Sequence, residues 1–232
     1  MHGYSICDVL ASTPAVADLD RDGYKEIIVG GVDGKVYAWN RTGGLLPGWP
    51  KRISNQHPIK NSPSIADVNN DEYLDIFIQT TEGEIYGLQY NGTNLPGWPI
   101  EFCGPYSFPC TLTSGTTTDI TFAEFNGLNQ WRVIAARAGV LGAWNKNGQI
   151  VINWPKTIGP SHSMGFDSRY NHPISIDIEI DAINPYYEEN RTPEGCNSIF
   201  QTVGYSSENP RGGRIFGFDC NGDSVLLFPK II

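Results

Sequence analysis

An all-β fold of about four repeated antiparallel sheets is what this sequence predicts. Three observations carry that expectation. Glycine (26) and proline (16) are abundant in the 232 residues and aromatics make up 12%, a balance that suits strands and tight turns. No long stretch places apolar residues at the 3.6-residue helical period. Finally, a unit of 49 residues recurs along the chain.

The repeat is clearest between "TPAVADLDRDGYKEIIVGGVDGKVYAWN" from Thr13 and "SPSIADVNNDEYLDIFIQTTEGEIYGLQ" from Ser62. It runs 49 positions apart without a gap, and "LPGWP" at Leu46–Pro50 returns at Leu95–Pro99. Two weaker copies follow. "RAGVLGAWNKNGQIVINWPK" spans Arg137–Lys156, and "GGRIFGFDCNGDSVLLFPK" spans Gly212–Lys230 with Phe218 and Phe228 in place of two tryptophans.

Each copy resolves into short strands. In the first, "PAVAD" alternates and then meets an acidic loop. "EIIVGG" is an apolar run suited to a strand buried on both faces. "GKVYAWN" alternates, with Val36 and Ala38 on one side and Tyr37 and Trp39 on the other. A glycine turn and "WPKRIS" complete about four strands per unit. Repeated four-stranded units of this length predict a β-propeller, because one unit cannot bury both faces alone and stacked neighbours can. We expect one propeller domain over 1–232, with blades near 11–58, 60–107, 110–160 and 172–232. Residues 1–10, which align with the segment after the first Trp-Pro, are expected as a closing outer strand. The terminal segments could meet and close a small four-bladed ring, or the units could belong to a larger propeller of about six to eight blades; an open stack would expose blade edges and favour self-association.

Residues 18–26 read "DLDRDGYKE". Acids at every second position repel one another, and a hard cation wrapped by oxygens relieves the repulsion. Asp18, Asp20 and Asp22 stand at positions 1, 3 and 5. Tyr24 at position 7 would offer its backbone carbonyl, and Glu26 at position 9 would close the shell. The second copy places Asp67, Asn69, Asp71, Tyr73 and Asp75 at the same five positions. Two Ca²⁺ sites are therefore expected. An EF-hand would need Glu at position 12 and flanking helices, whereas position 12 is Val29 and the flanks read as strands. Softer metals want His or Cys, and neither loop has one. The third copy keeps only Glu124 and Asn126, so no ion is expected there. In the fourth, Asp177, Glu179 and Asp181 alternate with isoleucines, as a strand with one polar face would.

These residues resemble the FG-GAP or VCBS repeat: A-D-[LV]-[DN]-x-D-x-Y-x-[DE]-I followed by G-[KE]-[VI]-Y. The resemblance is specific over 11–102 and rests on landmarks over 118–230. It implies Ca²⁺ held between the first two strands of a blade and a propeller used for adhesion and interaction outside the cell or at its surface. The "LPGWP" element is similar to a variant in secreted microbial propellers.

The remaining features bound the function. Net charge is −9, which argues against nucleic-acid partners. No apolar stretch is long enough to span a membrane. "MHGYSICDVL" lacks the regions of a signal peptide, which fits an intracellular chain or an excised piece; with the resemblance to a secreted-type family, a piece of something larger is expected. Cys7, Cys103, Cys110, Cys196 and Cys220 leave an odd thiol. Cys103 and Cys110 could close a small loop or stay free. Sequons stand at Asn40, Asn91 and Asn190. No G-x-S-x-G, H-E-x-x-H, P-loop or G-x-G-x-x-G motif occurs. The expectation is a non-catalytic module with a protein or glycan ligand, recognised through insertions at 159–172 and 182–197. A propeller domain of a secreted polysaccharide- or peptide-processing enzyme is the rival. Tryptophans 39, 49, 98, 144 and 154 recur at equivalent places, which favours packing between blades over a sugar platform.

Overall fold

A computed structural model shows the architecture. It describes residues 12–53, 58–102, 117–124, 130–137, 140–157, 174–176, 198–203, 214–218, 221–223 and 230–231. Among these there is no helix, and sixteen strands form four antiparallel four-stranded sheets in sequence order. The expected closing strand at 1–10, all five cysteines, all four histidines and the two insertions lie outside the described residues. So do Asn126 and the Asp177–Asp181 segment.

The first sheet holds β1 (Ala15–Ala17), β2 (Glu26–Gly30), β3 (Lys35–Trp39) and β4 (Lys51–Arg52). The second holds β5 (Ser64–Ala66), β6 (Asp75–Gln79), β7 (Glu84–Leu88) and β8 (Ile100–Glu101). The third holds β9 (Thr121–Glu124), β10 (Trp131–Arg137), β11 (Val140–Trp144) and β12 (Lys156–Thr157). The fourth holds β13 (Ile174–Ile176), β14 (Ser198–Val203), β15 (Arg214–Phe218) and β16 (Lys230–Ile231).

Each sheet has a forward face, toward the next blade, and a rear face, toward the previous one. The alternation of "GKVYAWN" decides which is which in blade 1. Val36 and Ala38 are buried on the forward face with Ile28, Leu46 and Trp49, against Ile76, Ile78 and Leu88 of blade 2. Phe77, Ile85, Leu95 and Trp98 of blade 2 meet Val133 and Trp144 of blade 3 in the same way. Ile134, Leu141, Ala143 and Trp154 of blade 3 then meet Phe218 of blade 4. A middle blade is covered on both sides, so all five residues of β6 are buried. In β2, Ile27 alone is exposed.

The tryptophan landmark is the joint between blades. After β3, Asn40 N–H donates to Gly44 O, Leu46 N–H to Ala38 O and Trp49 N–H to Leu46 O. The same three bonds recur from Gln89, Leu95 and Trp98, and again from Asn145, Val151 and Trp154. The indole of Trp49 donates to Tyr90 O of blade 2 at 3.0 Å, and that of Trp98 to Lys146 O of blade 3 at 2.9 Å. The glycine of "LPGWP" has its own reason. Gly48 (φ 87°) and Gly97 (φ 83°) are left-handed, and a Cβ on either would overlap a carbonyl oxygen of the next blade's turn, that of Asn91 or Asn147. The expectation that the tryptophans pack between blades is met at Trp49 and Trp98, and the structure adds the polar contact that fixes their direction.

Candidate metal centre

The loop from Asp18 to Lys25 joins β1 to β2, and the loop from Asp67 to Leu74 joins β5 to β6. Alternating acids fold a short loop inward because each can serve a nearby N–H. Asp20 Oδ1 accepts from Asp22 N–H at 3.2 Å, Asp18 Oδ2 from Gly23 N–H at 3.1 Å, and Asp22 Oδ1 from Tyr24 N–H at 2.8 Å. The second loop repeats this set bond for bond. Asn69 Oδ1 accepts from Asp71 N–H, Asp67 Oδ2 from Glu72 N–H, and Asp71 Oδ1 from Tyr73 N–H, at 2.9 Å each. Both loops turn through two left-handed residues, Arg21 (φ 64°) and Gly23 (φ 86°) in one, Asn70 (φ 61°) and Glu72 (φ 73°) in the other.

In the first loop this spends one oxygen of each acid on the backbone and turns the others toward a common point, whereas in the second Asp67 Oδ1 also accepts from Asp71 N–H, at 3.1 Å. Asp18, Asp20 and Asp22 each bring a carboxylate oxygen within 4.8 Å of the other two, and they are the one such cluster among the described residues. Asp18 Oδ1 is buried and has no hydrogen-bond partner. A buried carboxylate oxygen without a donor is unfavourable unless a cation takes it, so the donor set fits a hard divalent ion. Asp18, Asp20 and Asp22 would hold it. The second loop carries one carboxylate fewer there, since Asn69 replaces an acid and its Nδ2 donates to Asp71 Oδ2 at 2.8 Å.

Position 9 does something the sequence does not announce. Glu26 is buried, and its Oε2 accepts from Leu19 N–H at 2.8 Å. Asp75 is likewise buried, and its Oδ2 accepts from Val68 N–H at 3.1 Å. These two acids clamp the start of each loop onto the second strand. Burial pushes Glu26 up, against the pull of the Leu19 bond, with Asp20, Asp22 and Asp18 adding to the rise. Burial takes Asp75 to about 7, against the Val68 and Asn69 bonds, and Asp71 and Asp67 push the same way. Tyr24 is exposed at the ring, which lies under the Arg41 guanidinium at 3.7 Å. Tyr73 stacks on Tyr90 at 4.6 Å. The two loops touch through Arg21 Nη1 and Glu72 Oε2, 2.8 Å apart.

Residues 18–78 match the family model of the FG-GAP-like repeat. The match to the FG-GAP-like repeat begins at the first acid of the first loop and ends in β6, so it takes in both loops. No curated protein sequence matches the chain. Solved structures do, at the level of fold. BamB from Moraxella catarrhalis is 16% identical with a TM-score of 0.54, over 94% of this chain and 52% of that one. BBS1N, solved in complex with ARL6DN, is 12% identical with a TM-score of 0.56, over 95% and 57%. A europium-containing methanol dehydrogenase is 15% identical with a TM-score of 0.53, over 91% and 40%. The chain thus spans about half the length of the first two. With its FG-GAP-like repeat and four-stranded blades, the fold is a β-propeller, an architecture suited to a binding or scaffold module. Among the described residues no helix is long and apolar enough to cross a membrane.

Proposed function

We propose that the protein is a calcium-binding β-propeller that acts as a non-catalytic binding, adhesion or scaffold module at the cell surface or outside the cell. The observation that carries the calcium reading is the buried, unpartnered Oδ1 of Asp18 within the three-aspartate cluster. Calcium suits it better than magnesium, because Ca²⁺ accepts six to eight oxygens in irregular geometry and Mg²⁺ holds its waters in a rigid octahedron. Asp20 and Asp22 are solvent-exposed, so an affinity weaker than that of a buried, fully protein-ligated site is expected. The ion's role is structural: it neutralises three acids and pins the turn between β1 and β2, so its binding adds to folding stability. The bond-for-bond likeness of the second loop supports a second, weaker site at Asp67, Asn69 and Asp71, with Tyr24 and Tyr73 offering backbone carbonyls. A protein or glycan is the expected ligand of the module.

The test is a thermal melt of the purified chain with Ca²⁺, with Mg²⁺ and with a chelator. A rise specific to Ca²⁺ that disappears in Asp20→Ala is expected. Equal melting under all three conditions would refute the reading.

A further inference from the structure

The turn after the third strand is built the same way in three blades. In blade 3, Asn145 N–H donates to Gln149 O at 2.9 Å and Gly148 N–H donates to Asn145 O at 2.9 Å. Gln89 and Gly92 make the same two bonds in blade 2, and Asn40 and Gly43 make them in blade 1. Each turn closes on a left-handed glycine, Gly43 (φ 79°), Gly92 (φ 79°) and Gly148 (φ 71°). In blades 2 and 3 the previous blade adds a second demand for that glycine. A Cβ on Gly148 would overlap Gly97 O, and one on Gly92 would lie 3.3 Å from Gly48 O, whereas one on Gly43 meets nothing within 4 Å. The residue before the glycine is Thr42 in blade 1, Asn91 in blade 2 and Asn147 in blade 3. The joint between blades thus requires glycine after Asn147. Glycine is also the neighbour with no side chain to hinder attack of its nitrogen on the asparagine amide.

The two asparagines differ in what holds the side chain. Asn91 Oδ1 accepts from Thr93 N–H at 3.0 Å and from Thr93 Oγ1 at 2.7 Å. In blade 3 the matching N–H, that of Gln149, is taken by Asn145 Oδ1 at 3.1 Å, and residue 149 has no hydroxyl. Asn147 is exposed, and its N–H donates to Asn145 Oδ1 at 2.9 Å, but its side chain makes no hydrogen bond. The Asn147 amide can therefore swing toward Gly148 N whenever the bond from Gly148 to Asn145 O opens.

We propose that Asn147 is a site of spontaneous isoaspartate formation, and that this modification loosens the joint between blades 2 and 3. Gly148 N attacks Cγ of Asn147. The N–Cγ bond forms, the Cγ–Nδ2 bond breaks, and ammonia leaves with the proton that Gly148 N gives up. Water then adds to one carbonyl of the cyclic imide. Opening at Cγ leaves aspartate. Opening at the main-chain carbonyl carbon leaves isoaspartate, whose chain runs through Cβ and Cγ. Water is the sole co-reactant, and asparagine is thermolabile in proteins. In isoaspartate the backbone gains a methylene, and the former main-chain carbonyl becomes a free carboxylate. That carbonyl oxygen, Asn147 O, is the atom packed against Gly97. It stands one residue from Lys146 O, which accepts the Trp98 indole N–H at 2.9 Å. Lengthening and charging the turn here acts on the close step between the two blades. The inference does not depend on the calcium reading, since the turn lies outside the acidic loops.

The experiment ages the purified full chain in calcium-containing buffer at mildly alkaline pH. Peptide mapping follows asparagine, aspartate and isoaspartate at residues 91 and 147. Isoaspartate is expected at 147 several-fold faster than at 91. Thr93→Ala removes the hydroxyl that holds Asn91 Oδ1 and should speed the reaction at 91. Asn147→Gln closes its larger ring far more slowly and keeps an exposed amide, so it should stay unmodified at 147 with native circular dichroism. In aged wild type the Trp98 indole N–H should exchange with solvent faster than in fresh protein, the Trp49 indole should not, and the urea midpoint should fall. Aged Asn147→Gln should show none of these changes. No isoaspartate at 147, equal rates at 91 and 147, or a Thr93→Ala chain as slow at 91 as wild type would overturn the proposal. So would a converted chain whose Trp98 indole still exchanges as in fresh protein.

Discussion

Gly97→Ala should destabilise the protein far more than Gly43→Ala, although both glycines have nearly the same backbone. Gly97 has φ 83° and Gly43 has φ 79°, so alanine at either position meets the same left-handed penalty, about 1 kcal/mol. They differ in what surrounds them. A Cβ at Gly43 meets nothing within 4 Å, whereas one at Gly97 overlaps the carbonyl oxygen of Asn147 in blade 3. That oxygen is backbone and belongs to a turn that also supports the Trp98 indole through Lys146 O. Relief requires the two blades to move apart, and overpacking of this kind adds about 1–3 kcal/mol. The total for Gly97→Ala is then about 2–4 kcal/mol, against about 1 kcal/mol for Gly43→Ala. For a chain of this length about 1 kcal/mol corresponds to roughly 2–4 °C in Tm. Differential scanning calorimetry and urea unfolding of both variants measure the difference. Equal midpoints would show that left-handed backbone alone explains the glycine, and that the close blade-to-blade step is not a constraint.

Trp98→Phe should lower stability by about 1–2 kcal/mol in urea unfolding, since it removes the indole bond to Lys146 O; Trp49→Phe should lower it by a similar amount. Glu72→Gly should raise the urea midpoint, because Glu72 holds φ 73° at the position where the first loop has Gly23, a strain of about 1 kcal/mol. The Arg21 pairing it loses is a surface contact of little weight. In metal-free buffer, stability should fall as pH rises from about 4 to 7. Asp75 stands at about 7 in the fold, above its ordinary 3.8, so its contribution is complete below the lower value and is lost as pH passes the upper one. Between pH 5 and pH 8 the loss is on the order of 3 kcal/mol and should flatten in Asp75→Asn, measured by urea midpoints at those two pH values.

Much of this was legible in the sequence because the repeat is gapless between residues 13 and 99, and each landmark there has one physical job. The alternation in "GKVYAWN" assigned Val36 and Ala38 to one face, and they are the buried pair. Alternate acids at 18, 20 and 22 read as convergent oxygens, and they converge. The role of Glu26 and Asp75 as clamps was not legible. An acid at position 9 reads the same in sequence whether or not one of its oxygens serves a backbone N–H, and only the fold shows that Glu26 Oε2 and Asp75 Oδ2 do. The exposure of Val16 and Ile27 was hidden for another reason. Apolar alternation says that a face wants cover, and cannot say whether a neighbour in the same chain provides it.

The joints at Trp49 and Trp98 have a consequence for how the molecule comes apart. Each joint ties a blade to the next one in sequence, so much of the coupling between blades runs between nearest neighbours. Breaking one joint should loosen the two blades it ties before it reaches the others. Amide protection should then peak in β6, the strand buried along its whole length, and fall toward β2, where Ile27 faces solvent.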